Sequence, residues 1–508
     1  MSRLRHGRLL FAALVVLALG GLYVAAGSRH PAVATSVTGA AASSVPVATA
    51  QRMCPAPGSA GVTASTVALT AVPGSAASGQ ATISRLTPGG SASPGQVVAT
   101  TTKPGVLHIS AVTAALSLTK AQQVGQPGSS PGVITQNARG GVLISATGAL
   151  AEGLDVQQTG PGGLATADCG APGTSFWFVG PGQSSAANIE IYLMNADSQP
   201  ADAQVSLLTD GTKGAPLLAN ADNGINVPPH SVVVQSLSTL LRSSKVVAIN
   251  VSTSVGSVVA AVRESRSKKD PGSWLAPTSA PARTLVIPGL PRETGPHQLF
   301  IAVPAGEATA QVKVTAITTR GSYQPTGGTG IALLGGSTTA ISLPSLSSVA
   351  GAIKVSANIP VSAALLIPGG PAGSPGVLAT AASQLSEQGV LADNPAKSAG
   401  QTQLILSAPG AAATVRITEA TATATAGQPG TVVNIKAGAS VIVPVSLPGS
   451  TKASAFSIVV TPLSGSGPVY ASRITSVHGS VRSVLPVQSA VTSIMLSPVQ
   501  DSLSAFLP

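Results

Sequence analysis

Apolar and polar residues alternate along the chain in short runs that end at proline or glycine. Residues 299–303 form one such run before Pro304, and residues 189–193 form another. Alternation with a period of two, bounded by turn-forming residues, is typical of half-buried β-strands. The pattern therefore predicts a body of many short strands rather than long helices.

One type of strand recurs four times, beginning with alanine, a polar residue and a β-branched residue. The copies begin at Ala81, Ala203, Ala310 and Ala413. Each copy follows an alternating strand and a turn, and further β-branched runs come after it. About six or seven short strands in roughly 105 residues are typical of an immunoglobulin-like or fibronectin-like sandwich. We therefore predict an all-β fold of tandem immunoglobulin-like β-sandwich modules.

An uncharged apolar run extends from Leu9 to Ala26 and follows three arginines within the first eight residues. About 18 apolar residues just suffice to span a bilayer as a helix. The preceding positive charge predicts a cytoplasmic N-terminus and an exported remainder. The run is either an uncleaved signal anchor or a signal peptide cleaved near 24–26 or 32–34. We expect a single-pass protein of the cell membrane with an extracytoplasmic bulk, secreted if the signal is cleaved.

These patterns together predict an order of segments along the chain. The predicted segments are a basic cytoplasmic N-terminus (1–8), a transmembrane signal anchor (9–26), a flexible stalk (27–50), module 1 (51–168), module 2 (169–266), module 3 (284–370), a linker (371–400) and module 4 with a C-terminal tail (401–508). Within the linker, a helix is expected near Ala381 to Leu391.

The chain has two cysteines, Cys54 and Cys169. An even number of cysteines in an oxidising compartment favours a disulfide. Two separate buried thiols are the alternative. Their wide separation does not match a zinc-binding motif.

Composition limits the classes of partner. Aromatic residues make up 2% and charged residues 8% of the chain, so any core must be filled by aliphatic side chains. The net charge of +11 is spread thinly, without a basic block that contains aromatic residues. Nucleic-acid binding is therefore not expected. The positive charge instead predicts a weak attraction to anionic lipids or envelope polymers.

Few residues suggest a binding site. Trp274 follows a basic, proline- and glycine-containing segment, and we expect it to be exposed. It either contacts a partner or a neighbouring module, or simply packs against its surroundings. Residues 176–178 (Phe-Trp-Phe) fit packing in a core better than sugar binding. Asp197, Asp202 and Asp222 lie among turn residues, so turn chemistry explains them better than calcium does.

Catalytic motifs are weak. Residues 128–132 match Gly-x-Ser-x-Gly, but Pro131 would follow the nucleophile and has no N–H for an oxyanion hole. The six histidines are scattered and none lies near a pair of acids in the sequence. We therefore predict no catalytic, metal-binding or cofactor-binding residues and no cofactor.

Two segments carry a family resemblance. Residues 54–58 (CPAPG) and 169–173 (CGAPG) each open a predicted module, and the second continues into residues 176–180 (FWFVG). In these motifs the chain resembles an uncharacterised actinobacterial family of exported β-proteins, domain of unknown function 5719. The resemblance implies one N-terminal membrane segment, a β-rich exported body and an envelope role near a membrane glycosyltransferase. It implies no functional residues.

Together these features predict a non-enzymatic, membrane-anchored envelope protein that acts as a spacer or interaction scaffold. Its expected partners are the membrane, through the N-terminal helix, and an envelope polysaccharide or a membrane glycosyltransferase complex. The alternatives are a cell-wall glycan-binding module and an accessory hydrolase with an unrecognised site.

Overall fold

The computed structural model describes most of the chain beyond residue 42. The described residues are 43–55, 64–71, 78–89, 97–103, 105–110, 117–118, 140–159, 166–182, 188–212, 215–220, 224–265, 272–369, 376–395, 400–420, 430–446 and 455–496. Their regular structure is strand, apart from one turn of 3-10 helix at Pro344–Leu346. The protein is thus an all-β protein, as predicted.

The described strands outside the ends of the chain fall into four consecutive strand sets, which we number 1 to 4. After a first strand, β1 (Ser43–Pro46), set 1 contains β2 (Thr49–Pro55), β3 (Ala64–Thr70), β4 (Gly79–Pro88), β5 (Val97–Thr101), β6 (Gly105–Ser110), β7 (Ser117–Leu118), β8 (Gly141–Gly148), β9 (Asp155–Thr159) and β10 (Ala167–Asp168). Set 2 contains β11 (Ser175–Pro181), β12 (Asn188–Asn195), β13 (Ala201–Thr209), β14 (Leu217–Leu218), β15 (Ile225–Val227), β16 (Ser231–Ser236), β17 (Val246–Val255), β18 (Val259–Ser265) and β19 (Ser273–Leu275).

The second half of the chain continues in the same way. Set 3 contains β20 (Ala282–Leu290), β21 (His297–Val303), β22 (Ala310–Thr318), β23 (Gly321–Tyr323), β24 (Ile331–Leu333), β25 (Ser337–Leu343), β26 (Gly351–Ile367) and β27 (Val377–Thr380). Set 4 contains β28 (Gly389–Pro395), β29 (Gly400–Ala408), β30 (Ala413–Ala420), β31 (Thr431–Ile435), β32 (Ala439–Val445), β33 (Ala455–Pro462), β34 (Tyr470–Val477) and β35 (Ser480–Pro486), and β36 (Ser493–Leu496) follows.

All four sets share one order of strand pairing in two sheets. The first sheets run β2-β8-β4-β5, β11-β17-β13-β14, β20-β26-β22-β24 and β28-β33-β30-β31. The second sheets contain β9-β3-β6, β18-β12-β16, β26-β21-β25 and β34-β29-β32. In set 3 the long strand β26 serves both sheets, because its first half pairs with β20 and β22 and its second half with β21.

The four strands predicted from the alanine-led repeat are confirmed as β4, β13, β22 and β30. Their side chains alternate as the sequence pattern requires. In β22, for example, Ala310, Val312 and Val314 are buried, whereas Gln311 and Lys313 are exposed. Burying one such aliphatic side chain contributes roughly 1.5–3 kcal/mol, so the inward face of these strands stabilises each set.

Each set encloses its own apolar core between its two sheets. The cores consist almost entirely of Val, Ile, Leu and Ala, as the low aromatic content predicts. The core of set 3 also includes Ile405, Ile474 and Val484 from set 4. The two final sets therefore share buried apolar surface.

Neighbouring sets contact one another in order along the chain. Sets 1 and 2 are joined by a short parallel pairing of β4 with β16 and by an apolar cluster that includes Met53, Tyr192 and Trp274. Sets 2 and 3 share a cluster around Val179 and Phe300, and Thr338 donates a hydrogen bond to the carbonyl of Leu208 (2.8 Å).

Sets 3 and 4 are joined by side-chain hydroxyls that bond to backbone carbonyls. Ser440 donates to the carbonyl of Ile317 (2.8 Å), and Ser472 donates to the carbonyl of Pro288. Set 4 also contacts set 1, through the residues described below. The contacts therefore form a closed circuit in which the last set meets the first.

One expectation about the linker is wrong. No helix forms near Ala381 to Leu391, because the end of this segment forms β28, in which Val390 and Leu391 are buried against β33. Pairing with β33 provides a core position for both apolar side chains, and this tertiary interaction outweighs the local helix propensity.

The chain divides into two units, one of residues 46–492 and one of residues 1–45 with 493–508. In the second unit, β1 pairs with β36. The predicted membrane segment, residues 9–26, lies outside the described residues. Within the described part of the chain, we find no helix with the length and hydrophobicity of a membrane span.

Candidate functional site

The two cysteines form a disulfide that connects β2 to the end of β10. Cys54 and Cys169 have their Cα atoms 4.6 Å apart, and both side chains are buried in the core of set 1. The bond also fixes the strand that carries Arg52 beside the strand that carries Asp168. These two charged residues take part in the polar contact described below.

Trp274 does not have the exposed position that the sequence led us to expect. Its side chain is only 8% exposed and lies in the apolar cluster between sets 1 and 2. The ring packs edge-on against Tyr192, with the ring centroids 5.2 Å apart. The physical reason is that β19 pairs with β18 and thereby places the indole against the neighbouring strand β12.

The aromatic run 176–178 follows the alternation of β11. Phe178 is buried in the core of set 2 and Phe176 packs partly against the same core. Trp177 points to the opposite face and packs against the apolar cluster between sets 2 and 3. All three rings thus contribute to packing, which accounts for this aromatic cluster without a sugar ligand.

The aspartates of set 2 bond to nearby polar groups. Asp197 accepts a hydrogen bond from the hydroxyl of Ser257 (3.0 Å), and Asp202 accepts one from the amide of Asn226 (2.9 Å). Asp222 and the Gly-x-Ser-x-Gly match at 128–132 lie outside the described residues. Among the residues whose positions are described, no three His, Cys, Asp or Glu side chains come close enough to hold a metal ion.

A small cleft lies where residues of all four sets meet. Its volume is about 60 Å³. Set 1 contributes Thr166, set 2 contributes Glu264 and Trp274, and set 4 contributes Arg482, while residues 376–378 close one side. The polar groups could form hydrogen bonds to a small ligand, but the space holds only a few water molecules.

The contact between set 4 and set 1 is centred on one buried arginine. Arg473 in β34 is 1% exposed. Its Nη1 donates to the Gln157 Oε1 in set 1 (2.7 Å) and, within set 4, to the Ala392 carbonyl (3.0 Å) and the Asn394 Oδ1 (3.3 Å). A single guanidinium therefore connects both sheets of set 4 to β9 of set 1.

A bulge in β28 shapes the other half of this contact. The pairing of β28 with β33 shifts register between Leu391 and Asn394, and Asp393 has a positive φ of 55°. The bulge turns the backbone of Ala392 towards set 1, where its N–H donates to the Asp155 Oδ2 (2.8 Å). Bulges commonly redirect groups in this way at functional or contact sites.

Two carboxylates and a second arginine complete the polar contact. Asp168 is half-buried, but its Oδ1 is sealed from solvent and has no hydrogen-bond partner. Burial and the neighbouring Asp155 raise the pKa of Asp168 to about 7, although Arg473 and Arg52 oppose this shift. Burial also raises the pKa of Asp155, against the hydrogen bond from Ala392 and the charge of Arg52.

We call these five side chains, together with the backbone of Ala392, the polar latch: Arg52, Asp155, Gln157, Asp168 and Arg473. None of these five residues is predicted as a site from the sequence. A usable signal was present, since Arg52 and Asp168 lie within two residues of Cys54 and Cys169, respectively. A disulfide between those cysteines necessarily brings the two charges near each other.

Comparison with known proteins yields one structural match and no curated relative. No curated protein sequence matches the chain. The structural match is a crystal structure of a tetra-tandem repeat in the extending region of a large adhesion protein, with 13% sequence identity. It covers 87% of this chain and all of the other, with a TM-score of 0.10. A score this low carries no argument about fold or function.

Comparison with protein families gives a clearer result. Residues 122–446 of the 508 match the Family of unknown function (DUF5719). The match spans more than half of the chain and includes sets 2 and 3 and most of set 4, and it agrees with the resemblance seen in the cysteine-containing motifs. The chain therefore belongs to the DUF5719 family.

Proposed function

We propose that the protein is a non-enzymatic, extracytoplasmic scaffold of the cell envelope, anchored in the membrane by its N-terminal segment. The observation that carries this proposal is the closed circuit of contacts among the four strand sets. Because Arg473 and Ala392 connect set 4 to set 1, the sets support one another as a single body. Such a body is better suited to act as a platform that holds partners in fixed positions than to act as an extended spacer.

We further propose that each strand set is one immunoglobulin-like sandwich module. Each set buries an aliphatic core between two antiparallel sheets, as such modules do. One difference is topological, because the first strand of each set lies in the same sheet as the third strand. In immunoglobulin domains the first strand lies in the sheet of the second strand instead.

The disulfide supports an extracytoplasmic location. Disulfides form and persist in oxidising compartments and are rare in the cytosol. The three arginines before the apolar run 9–26 give the same orientation independently. The N-terminus is therefore expected inside and the strand sets outside.

Two measurements test the scaffold proposal in cells. First, alkaline phosphatase fused to the C-terminus of the full chain should be active, since this enzyme folds only outside the cytoplasm. Second, a photo-crosslinking amino acid at Leu334, whose side chain is 56% exposed, should yield a covalent adduct with a membrane protein. The same crosslinker at the exposed Arg416 serves as a matched surface control.

Different outcomes would contradict different parts of the proposal. An inactive phosphatase fusion would refute the extracytoplasmic location. Absence of a protein adduct at Leu334, together with retention of the chain on isolated cell wall, would favour glycan binding over scaffolding.

A cell-wall glycan-binding module is the second candidate function, and the four-set cleft favours it. The cleft combines an aromatic edge at Trp274, a carboxylate at Glu264 and a guanidinium at Arg482. Its volume of about 60 Å³ fits a single small group, such as one sugar substituent, rather than a whole oligosaccharide. Arg482→Ala should reduce retention on isolated cell wall if this function is correct. Trp274 is unsuitable for this test, because its removal would disturb a buried cluster.

A further inference from the structure

The polar latch contains an imbalance between burial and hydrogen bonding. Asp155 Oδ2 accepts the N–H of Ala392, and Gln157 accepts a hydrogen bond from Arg473. By contrast, Asp168 has a buried oxygen without any partner. A carboxylate that is ionised in such a position loses its hydration and gains no hydrogen bond in return.

The surrounding charges do not remove this imbalance. Arg52 on β2 and Arg473 on β34 face Asp168, and the Asp155 carboxylate on β9 faces it with the same sign. Asp393 on β28 adds a further acidic group near Arg473. In the structure neither arginine donates a hydrogen bond to Asp168, and the Nε of Arg473 is itself buried without a partner.

We propose that closure of set 4 on set 1 is linked to proton binding, so that the closed latch holds one proton on the Asp155–Asp168 pair and the open latch releases it. When set 4 leaves, Arg473 and the β28 bulge no longer cover the two carboxylates. Water then solvates both acids, and both ionise at neutral pH.

The direction of the pH effect follows from linkage. The pKa of Asp168 in the closed form is about 7, whereas an exposed aspartate has a value of 3.8. Between these two values the closed form binds the extra proton, so its stability falls as pH rises. Above about pH 7 both forms have lost the proton, and the effect levels off.

Other titrating groups also respond in this range, so the test requires a matched comparison. His297 is fully buried in β21 of set 3, and burial lowers its pKa. A histidine with a lowered pKa destabilises the fold as pH falls, which is opposite in sign to the latch. A local measurement at β28 separates the two effects, because His297 lies in a different set.

Hydrogen exchange of the full chain, read by mass spectrometry on peptides that cover residues 389–395, reports opening of the latch. After correction for the intrinsic exchange rate, protection of this segment should fall by up to about tenfold per pH unit between pH 5 and 7. It should then change little between pH 7.5 and 8.5. Protection that does not vary with pH over this range would overturn the proposal.

Substitution identifies the group responsible. Asp168→Asn resembles the protonated carboxyl in shape and charge, so this variant should keep the segment protected at pH 7.5 and lose most of the pH dependence. Asp393→Asn is the matched control, because it removes a nearby acid and asparagine tolerates a positive φ. The control variant should retain the pH dependence of the parent chain.

A second variant keeps the test decisive if Asp168→Asn does not fold. Asp155→Asn retains an oxygen that can accept the N–H of Ala392, and it should likewise reduce the pH dependence. If either folded variant keeps the full pH dependence of the parent, the proton is not held by this pair and the proposal is wrong.

Discussion

Removal of the buried arginine should open the contact between the first and last strand sets. Arg473→Ala would leave Gln157 and the Ala392 carbonyl without their donor, and would leave Arg52 as the one remaining arginine that acts on the carboxylates of Asp155 and Asp168. Breaking a buried charge network by deleting one partner typically costs about 3–5 kcal/mol.

The magnitude can be checked against the individual hydrogen bonds. Hydrogen bonds to a charged group contribute about 1.5–3 kcal/mol each, and Arg473 makes two that are shorter than about 3.1 Å. Together they give a value in the same range as the network estimate. We therefore expect the free energy of unfolding to fall by about 3–5 kcal/mol. This corresponds to roughly 10²–10⁴-fold faster hydrogen exchange at β28, where exchange follows opening of the contact.

The assay combines urea unfolding followed by circular dichroism with hydrogen exchange of residues 389–395. Arg416→Ala is the matched control, since Arg416 lies in the same set and is exposed. An exposed substitution of this kind should change stability by less than about 0.5 kcal/mol. The reasoning is refuted if Arg473→Ala changes stability and local exchange no more than Arg416→Ala does.

Three further predictions concern the remaining features of the fold. The double substitution Cys54→Ser and Cys169→Ser should lower the free energy of unfolding, measured by urea unfolding, by up to about 4–5 kcal/mol, because the disulfide closes a loop of 115 residues. Equal unfolding midpoints with and without the disulfide would contradict this prediction. Trp274→Ala should destabilise by about 3–5 kcal/mol in the same assay, whereas an effect below about 0.5 kcal/mol would mean that the side chain is exposed after all. Gly272→Ala should lower the midpoint of thermal unfolding for two reasons: a Cβ at this position would lie 2.5 Å from the Glu264 carbonyl oxygen, and Gly272 has a positive φ of +76°. An unchanged midpoint would show that the segment adopts another conformation.

The strand pattern could be predicted because it depends on local alternation. In β22, Ala310 and Val312 face inward and Gln311 faces outward, and this order is written directly in the sequence. The same holds for residues 176–178, where the alternation separates Trp177 from its two phenylalanine neighbours. Burial on one face of a strand leaves a signal with a period of two.

Features that depend on contacts between sets could not be predicted in the same way. The basic segment before Trp274 suggested an exposed position, but pairing of β19 with β18 buries the ring. The segment near Ala381 to Leu391 suggested a helix, but β33 provides the partner for a strand. In both cases the structure of the segment is determined by a strand that its own local sequence pattern does not reveal.

The polar latch is the clearest example of this limit. Arg473 and Gln157 are 316 residues apart, and no spacing rule connects them. Only the positions of Arg52 and Asp168 close to the two cysteines indicate that these charges meet, and this holds only if the disulfide is assumed. The bulge at Asp393 could not be told from an ordinary turn in the sequence, because aspartate and asparagine are enriched at a positive φ in turns as well.

Disulfide trapping across the first and last sets tests the closed circuit most directly. The N–H of Ala392 lies 2.8 Å from the Asp155 Oδ2, so cysteines introduced as Asp155→Cys and Ala392→Cys should link on mild oxidation of the full chain. A peptide pair joining the two positions, found by mass spectrometry and missing in either single variant, is the predicted result. If the folded double variant stays unlinked under these conditions, set 4 does not meet set 1, and the account of a single closed body is contradicted.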